Sequence, residues 1–364
     1  VTTYLLAGGG TAGHVNPLLA VADRIRARDP ESTVLVLGTA EGLEARLVPA
    51  RGYELLTIPK LPFPRRPNRR ALQFPAGLVQ IVATVTGYLH DRAVDVVVGF
   101  GGYAAAPAYL AARQAGIPLV IHEANAKPGM ANRLGSILTP HVGVAFRSTR
   151  LRGARVVGMP LRREIETLVK HEARREGQVF FDLDPSQPTL LVTGGSTGAR
   201  SINATISASA ALLLGTGWQV LHIAGDRAEI EDPGLPGYRF VRYCDRMELA
   251  LAVADLAVSR AGSATVSELT ALGIPAVYVP YPVGNGEQRF NALDVINAGG
   301  ALLIDDSRFT PPWVASTLVP ILLDRARVAE LAARTSQLGS TDGADRMVDL
   351  IEDALSAATM RHDD

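Results

Sequence analysis

Leu5-Leu6-Ala7-Gly8-Gly9-Gly10-Thr11-Ala12-Gly13, near the start of the chain, and Leu191-Val192-Thr193-Gly194-Gly195-Ser196-Thr197-Gly198-Ala199, past its middle, follow one pattern. In each, an unbroken apolar run meets a turn of small residues and then a helical stretch. A run without polar alternation is what a strand covered on both faces requires. A glycine turn into a helix is how such a strand continues in a parallel α/β sheet. The repeat therefore predicts two doubly wound parallel-sheet domains.

Other segments agree. Strand-like runs occur at Thr3–Ala7, Val34–Gly38, Asp95–Gly99, Pro118–His122, Thr189–Thr193, Gln219–Ala224, Leu256–Ser259 and Ala276–Val279. Periodic helices fall between them at Pro17–Arg28, Ala104–Ala115, Ser263–Leu272 and Glu287–Ala298. Pro17 suits a first helical turn, where its absent N–H costs nothing. A polar, Arg- and Glu-rich stretch from Arg162 to Pro188 separates the halves, so the expected domains are 1–160 and 161–340. A last helix, about 341–364, is expected to pack back on the first domain. Ligands in such folds bind beyond the carboxyl ends of the strands, which makes the cleft between the domains the expected site.

The chain has 364 residues, with 36 basic against 36 acidic ones, 47% hydrophobic and 20% charged. That is enough chain for two ordinary cores. The balanced charge argues against a nucleic-acid partner, which needs a basic surface. One cysteine, Cys244, allows no internal disulfide and points to a reducing compartment. The opening VTTYLLAGGG is too short an apolar run for a signal peptide, and no uninterrupted apolar stretch reaches the ~18–20 residues of a membrane span.

Glycine turns follow strands at three places: Gly8–Gly13, Gly99–Tyr103 and Gly194–Gly198. Such turns let a backbone approach a phosphate-bearing ligand, and a helix N-terminus favours an anion. Gly8-x-Gly10-x-x-Gly13 also matches the dinucleotide fingerprint, but Glu41 stands too far on to be the ribose acid expected ~20 residues later. His14 follows the first loop at a helix mouth, where the dipole disfavours imidazolium and leaves a base. His122-Glu123-Ala124-Asn125 ends another strand; Glu123 and Asn125 there could meet sugar hydroxyls or orient His14. Glu268, one turn into a helix after Ser259-Arg260-Ala261-Gly262, suits ribose or sugar hydroxyls, as do Gln288 and Asn291 on one helical face. Asp182-Leu183-Asp184 precedes a strand and Pro185, and the seven histidines show no ligand spacing, so no protein-held metal is expected.

Leu55–His90 contains no Asp or Glu. Lys60, Arg65, Arg66, Arg69 and Arg70 crowd its first half, followed by Leu72, Phe74 and the apolar residues from Leu78 to Val85. Basic residues beside apolar ones suit an anionic membrane surface, with each cation adding on the order of 1 kcal/mol. A basic loop followed by a core helix reads equally well.

The stretches Gly9–His14, Gly101–Tyr103, His122–Asn125, Gly194–Ala199, Ser259–Gly262 with Thr265–Glu268, and Gln288–Ala292, taken in this order, resemble the MurG family. These are two-domain GT-B glycosyltransferases that move GlcNAc from UDP-GlcNAc to lipid I (undecaprenyl-pyrophosphoryl-MurNAc-pentapeptide), and the resemblance covers nearly the whole chain. It implies that Arg162 and Ser196 contact UDP, that the Cys244 backbone reads uracil, and that Ala264 and Thr265 face the diphosphate. Glu268 would take the ribose, and Gln288 and Asn291 the GlcNAc hydroxyls. Thr11, Ala12, Gly13 and Asn125 would reach the donor sugar, while Gly10, Gly102, Tyr103 and Asn132 would take the acceptor. It further implies a peripheral enzyme on the cytoplasmic face of an anionic membrane, partnered by other cell-wall synthesis proteins, with no required cofactor.

The chain departs from the family pattern at Met159, Thr197, Glu287 and Ala12, where Asn, Gln, Gln and Gly are common. An α-linked donor and a β1→4 product require inversion, with His14 as base and Glu123 as the second candidate. The helix after Gly194–Gly198 and Arg162 would meet the charge on departing UDP. The rival readings are another GT-B glycosyltransferase, a UDP-GlcNAc 2-epimerase, or a non-catalytic nucleotide-sugar-binding subunit.

Overall fold

The computed structural model describes residues 1–61, 69–195, 197–283 and 286–360, with 69–71 described by backbone alone. It divides into two compact units, Val1–Arg163 with the segment from Thr341 onward, and Glu164–Ser340. The first unit holds a sheet of strands β1 (Thr3–Gly8), β2 (Thr33–Gly38), β3 (Glu54–Thr57), β4 (Val96–Gly101), β5 (Leu119–Glu123), β6 (His141–Val144) and β7 (Ala154–Val156). Their order is β3-β2-β1-β4-β5-β6-β7, and every pairing is parallel.

The second unit holds β8 (Thr189–Thr193), β9 (Gln219–Ile223), β10 (Tyr238–Val241), β11 (Leu256–Ser259), β12 (Ala276–Tyr278) and β13 (Ala301–Leu303). Their order is β10-β9-β8-β11-β12-β13, again all parallel. Both sheets reverse their winding beside their first strand, between β1 and β4 and between β8 and β11. Loops leaving adjacent strands at such a switch point diverge and open a crevice. The glycine turns after β1, β4 and β8 and the Arg260–Gly262 turn after β11 all lie there.

In unit 1 the helices α1 (Ala12–Arg28), α2 (Glu44–Ala50), α3 (Arg69–Asp91), α4 (Ala105–Ala115) and α5 (Met130–Leu138) cover the sheet. One face packs Leu6, Val36 and Val98 against Leu18 and Ile25 of α1; the other packs Leu5, Leu37 and Val97 against Val85 and Leu89 of α3 and Tyr109 of α4. The C-terminal helix Gly343–Met360 completes the first face with Met347, Val348, Leu350, Ile351 and Ala354. Arg28 closes this contact outside, reaching Asp345 at 2.8 Å and Asp349 at 2.7 Å.

Several boundaries differ from the sequence expectation. Helix α1 begins at Ala12, so Pro17 sits inside it and the Gly13 carbonyl loses its usual i+4 donor. The stretch expected as one helix over Glu287–Ala298 is two short ones, Glu287–Asn291 and Leu293–Asn297. Leu72–Asp91 is, among the described residues, the one helix long and apolar enough to cross a membrane by length and composition. Its Ile81, Val85 and Leu89 are committed to the core.

Each unit carries one buried neutral histidine. His122 gives its Nε2 proton to the Gly158 carbonyl at 3.0 Å, and burial pushes its pKa down from 6.5 to about 4. His222, also lowered by burial to about 4, accepts from the Tyr238 hydroxyl at Nδ1 (2.6 Å) and donates from Nε2 to Asn203 Oδ1 (3.1 Å). Below pH 6.5 an unfolded chain binds protons that these sites refuse, so stability should be complete above that value and fall toward pH 4. By pH 5 the expected loss is about 2 kcal/mol per histidine. Urea unfolding at pH 7 and pH 5 checks this, and equal midpoints would contradict it.

Candidate active site

At the switch point of unit 1 the β1–β4 register shifts between Ala7 and Gly8, so that Gly8 pairs with Gly101. The extra residue on β4, Phe100, bends that strand's end and carries Gly102 against the first turn. A Cβ on Gly102 (φ +84°) would lie 2.4 Å from the Gly9 oxygen. Only glycine serves at this approach.

His14 stands half-buried in the first turn of α1. Its Nδ1 lies 3.2 Å from the Gly9 carbonyl oxygen and 3.4 Å from the Thr11 hydroxyl. A carbonyl only accepts, so Nδ1 carries the proton and Nε2 keeps its lone pair. A Cβ on Gly101 would come within 3.2 Å of Cδ2 and Nε2, so glycine keeps that edge of the ring open. In this tautomer Nε2 is the acceptor nitrogen of the ring.

Glu123 is placed otherwise than expected. Its carboxylate is 2% exposed and accepts from the Asn125 amide at 2.8 Å, the Gly129 amide at 2.9 Å and Asn132 Nδ2 at 2.9 Å. A carboxylate so engaged braces its loop. Asn132 lies beside it: its Oδ1 accepts from the Tyr109 hydroxyl (2.6 Å), its Nδ2 also reaches the His122 carbonyl (3.1 Å), and the residue is 2% exposed. Gly10, expected at the acceptor, gives its N–H to Glu44 Oε2 at 2.8 Å. Thr11 and Ala12 are exposed, while Gly13, Gly102 and Asn125 are partly buried. Exposed Tyr103 carries the Lys60 ammonium 5.1 Å above its ring.

Glu44 escaped the sequence reading. It is 1% exposed, and its other oxygen takes the Thr39 amide (3.0 Å) and hydroxyl (2.8 Å). Burial alone would raise its pKa, but the bonds from Gly10 and Thr39 outweigh burial and hold it below the ordinary carboxylate value. The only sequence signal is an acid flanked by glycines that leave room for it, since a Cβ at Gly9, Gly38 or Gly42 would strike its side chain.

In unit 2, Gly195 (φ +85°) and Gly198 (φ +81°) turn the loop after β8 into the helix Arg200–Ala208; Ser196 lies outside the described residues. Asn203 Nδ2 holds the Ala224 carbonyl at 2.9 Å, and the Gly198 backbone rests against that carbonyl. Ala264, Thr265 and Glu268 lie partly exposed on the helix Ser263–Ala271, the first two in its opening turn. Gln288 Oε1 accepts from the Tyr281 amide at 2.9 Å. Asn291, 1% exposed, instead braces the Ala261 carbonyl at 3.2 Å. Cys244 is buried, and burial pushes its thiol up to about 11. Arg162 is partly buried at the end of unit 1.

A second residue without an expected role is Arg260. It reaches the Val279 carbonyl (3.0 Å), Ser201 Oγ (3.1 Å) and Asp306, tying the ends of the central strands together. Among the described residues no three His, Cys, Asp or Glu side chains group as metal ligands. Of the expected membrane residues, Arg65 and Arg66 lie outside the described residues, as do the side chains of Arg69 and Arg70. Leu72 is 83% exposed and Phe74 partly buried.

Residues 4–143 match the glycosyltransferase family 28 N-terminal domain, and residues 189–347 match its C-terminal domain. The chain belongs to glycosyltransferase family 28. Among family relatives, one from Leifsonia xyli subsp. xyli is 64% identical over 98% of this chain and 100% of its own length. Another from Streptomyces coelicolor is 47% identical over 98% of this chain and 99% of its own. Both are named UDP-N-acetylglucosamine--N-acetylmuramyl-(pentapeptide) pyrophosphoryl-undecaprenol N-acetylglucosamine transferase. The crystal structure of Acinetobacter baumannii MurG superimposes with a TM-score of 0.80 at 28% identity, over 97% of this chain and 100% of that one. A UDP-GlcNAc 2-epimerase from Neisseria meningitidis shares the fold alone, at 14% identity and TM-score 0.67, over 97% of this chain and 100% of that one.

The two family glycines separate strain from close approach. Gly10→Ala keeps φ near +90° with open space around its Cβ and should cost about 1–2 kcal/mol. Gly102→Ala adds the collision with Gly9 and should cost clearly more. Urea unfolding of both variants measures the difference; equal losses would contradict the close approach.

Proposed function

We propose that this protein is an inverting glycosyltransferase that moves GlcNAc from UDP-GlcNAc to the 4-hydroxyl of the MurNAc residue of lipid I, forming the β1→4-linked disaccharide lipid II for peptidoglycan. The observation that carries this reading is full-length likeness, at 64% identity, to a transferase of that name. The epimerase alternative has only a shared fold behind it.

In the proposed mechanism His14 Nε2 takes the proton of the acceptor 4-hydroxyl as its oxygen attacks C1 of the donor sugar. The C1–O bond to UDP breaks with its electron pair on the diphosphate, and the configuration inverts. General-base help of this kind is worth roughly 10²–10⁴ in rate. The Gly194–Gly198 turn with its following helix, and Arg162, would meet the departing charge, and no protein-held metal is then required. Glu268 and Gln288 would hold ribose and sugar hydroxyls, the Cys244 backbone the uracil, and Ala264 and Thr265 the diphosphate.

The same reading places the protein peripherally on the cytoplasmic face of the membrane that holds its acceptor. Support comes from α3, where Ile81, Val85 and Leu89 face the core while Leu72, Pro75, Ala76, Val79 and Ala83 form a second, exposed apolar stripe. Helix α5 likewise exposes Met130, Leu134 and Ile137 at helical spacing. These stripes suit shallow insertion assisted by anionic headgroups.

Kinetics divides the roles. His14→Ala should lose nearly all turnover with UDP-GlcNAc affinity little changed, because the proton moves only in the transition state. Glu268→Ala should weaken donor binding roughly 10- to 150-fold. Calorimetry with UDP-GlcNAc and steady-state turnover on lipid I distinguish the two, and a folded His14→Ala enzyme with more than about a tenth of normal turnover would place the base elsewhere.

The membrane role is tested separately. Leu72→Ser with Val79→Ser should reduce sedimentation with anionic vesicles and turnover on vesicle-bound lipid I, while sparing turnover on a short-chain soluble acceptor. Binding should also weaken with salt, which screens headgroup attraction within about 8 Å at physiological strength. Unchanged sedimentation of the double variant would contradict the insertion.

A further inference from the structure

The Gly9–Gly10 peptide unit is gripped at both ends. Its C=O accepts the Nδ1 proton of His14 at 3.2 Å, and its N–H donates to the Glu44 carboxylate at 2.8 Å. The three groups lie in series: carboxylate, peptide, imidazole. We propose that Glu44 is a positioning residue for His14, acting through the Gly9–Gly10 peptide to fix the imidazole's tautomer and raise its basicity. The inference rests on His14 being the base of the proposed transfer.

Hydrogen bonds in series polarise one another. A negative charge on the N–H side draws that proton and leaves more negative charge on the carbonyl oxygen. That oxygen then holds the Nδ1–H more tightly and stabilises the imidazolium formed when Nε2 takes a proton. A carboxylate bonded directly to a catalytic histidine acts in the same way. Here one peptide is interposed. Burial makes the coupling effective: Glu44 is 1% exposed, Gly9 is buried, and Gly102 packs directly on the Gly9 carbonyl.

Among the described residues, several other ionisable groups on the elements around α1 are engaged elsewhere. Glu123 on β5 holds Asn125, Gly129 and Asn132; His122 on the same strand holds Gly158. Asp23, further along α1, holds Arg51 and Tyr53, and Asp345 on the C-terminal helix holds Arg28 and Arg24. Lys60 stands over Tyr103. Glu44 is the charge wired to His14.

The test is a direct titration of His14 in full-length protein carrying 15N-labelled histidine rings, assigned by comparison with His14→Gln. In wild type the neutral ring should carry its proton on Nδ1. Glu44→Gln should lower the His14 pKa by about one pH unit, as expected for a charge some ångströms away in a partly screened site. Glu44→Asp keeps the charge and should restore most of the value. The ascending limb of the pH–rate profile should move down with the titration. Turnover at the plateau should fall roughly 3- to 10-fold because the base is weaker, with the KM for UDP-GlcNAc within about twofold.

A folded Glu44→Gln protein whose His14 titrates as in wild type overturns the proposal. So does a wild-type ring protonated on Nε2, a measurement that needs no variant to fold. A purely structural Glu44 would disturb stability and leave the His14 titration in place. The titration reads the coupling whether or not His14 is the base, and loss of that role would show only in His14→Ala turnover.

Discussion

A buried carboxylate sets the geometry at the carboxyl edge of the first sheet. Glu44 enters the turn after β1 with no water to solvate it, and such a charge is tolerated only when its lone pairs are filled. The Gly10 amide and the Thr39 amide and hydroxyl fill them. The loop is thereby held in one conformation, and the Gly9 carbonyl is left pointing at His14. The neighbouring glycines follow from the same constraint, because a side chain at Gly9, Gly38 or Gly42 would occupy the carboxylate's space.

The second unit meets the same problem with cationic and neutral groups. Arg260, with a side chain 12% exposed, spans Asp306, Ser201 and the carbonyls that end β12. Beside the other glycine loop Tyr238, His222, Asn203 and the Ala224 carbonyl are hydrogen-bonded in series. Removing one member of such a network strands a buried polar group, which costs more than the bond itself contributes. In both units a glycine of these turns packs backbone against backbone, Gly102 on Gly9 and Gly198 on Ala224.

The central strands were legible because residues buried on both faces leave no polar position; Thr189–Thr193 reads as apolar throughout and is wholly buried. Edge strands lack that signature. Ala154–Val156 is exposed along its length and Glu54–Thr57 is half polar, so neither was read as a strand. The start of α1 lies ahead of the sequence expectation because Pro17 resembles a helix-opening proline, whereas burial of Val15 and Leu18 carries the helix past it. At the site, His14 was legible from its place after a glycine turn. Glu123 stands out as a polar group at a strand end and Asn132 through the family resemblance, and only their hydrogen bonds show that both are engaged by the loop backbone and by neighbouring side chains. Glu44 follows no spacing rule, since a carboxylate that binds amides can arrive from any element.

The path of the chain bears on how the protein is made. The first unit is discontinuous: its core lacks Met347, Val348, Leu350, Ile351 and Ala354 until the last helix is synthesised, whereas the second unit is one uninterrupted stretch. During translation the earlier-emerging sheet must wait, with the apolar flank of α1 uncovered, while the later one can close on itself first. Domains generally fold as units in the order they emerge, and exposed apolar surface in the interval invites aggregation. Here the order of completion is reversed, so the unit that begins first is the last to finish, and the nascent chain presents a sticky face for the time needed to make the whole second unit.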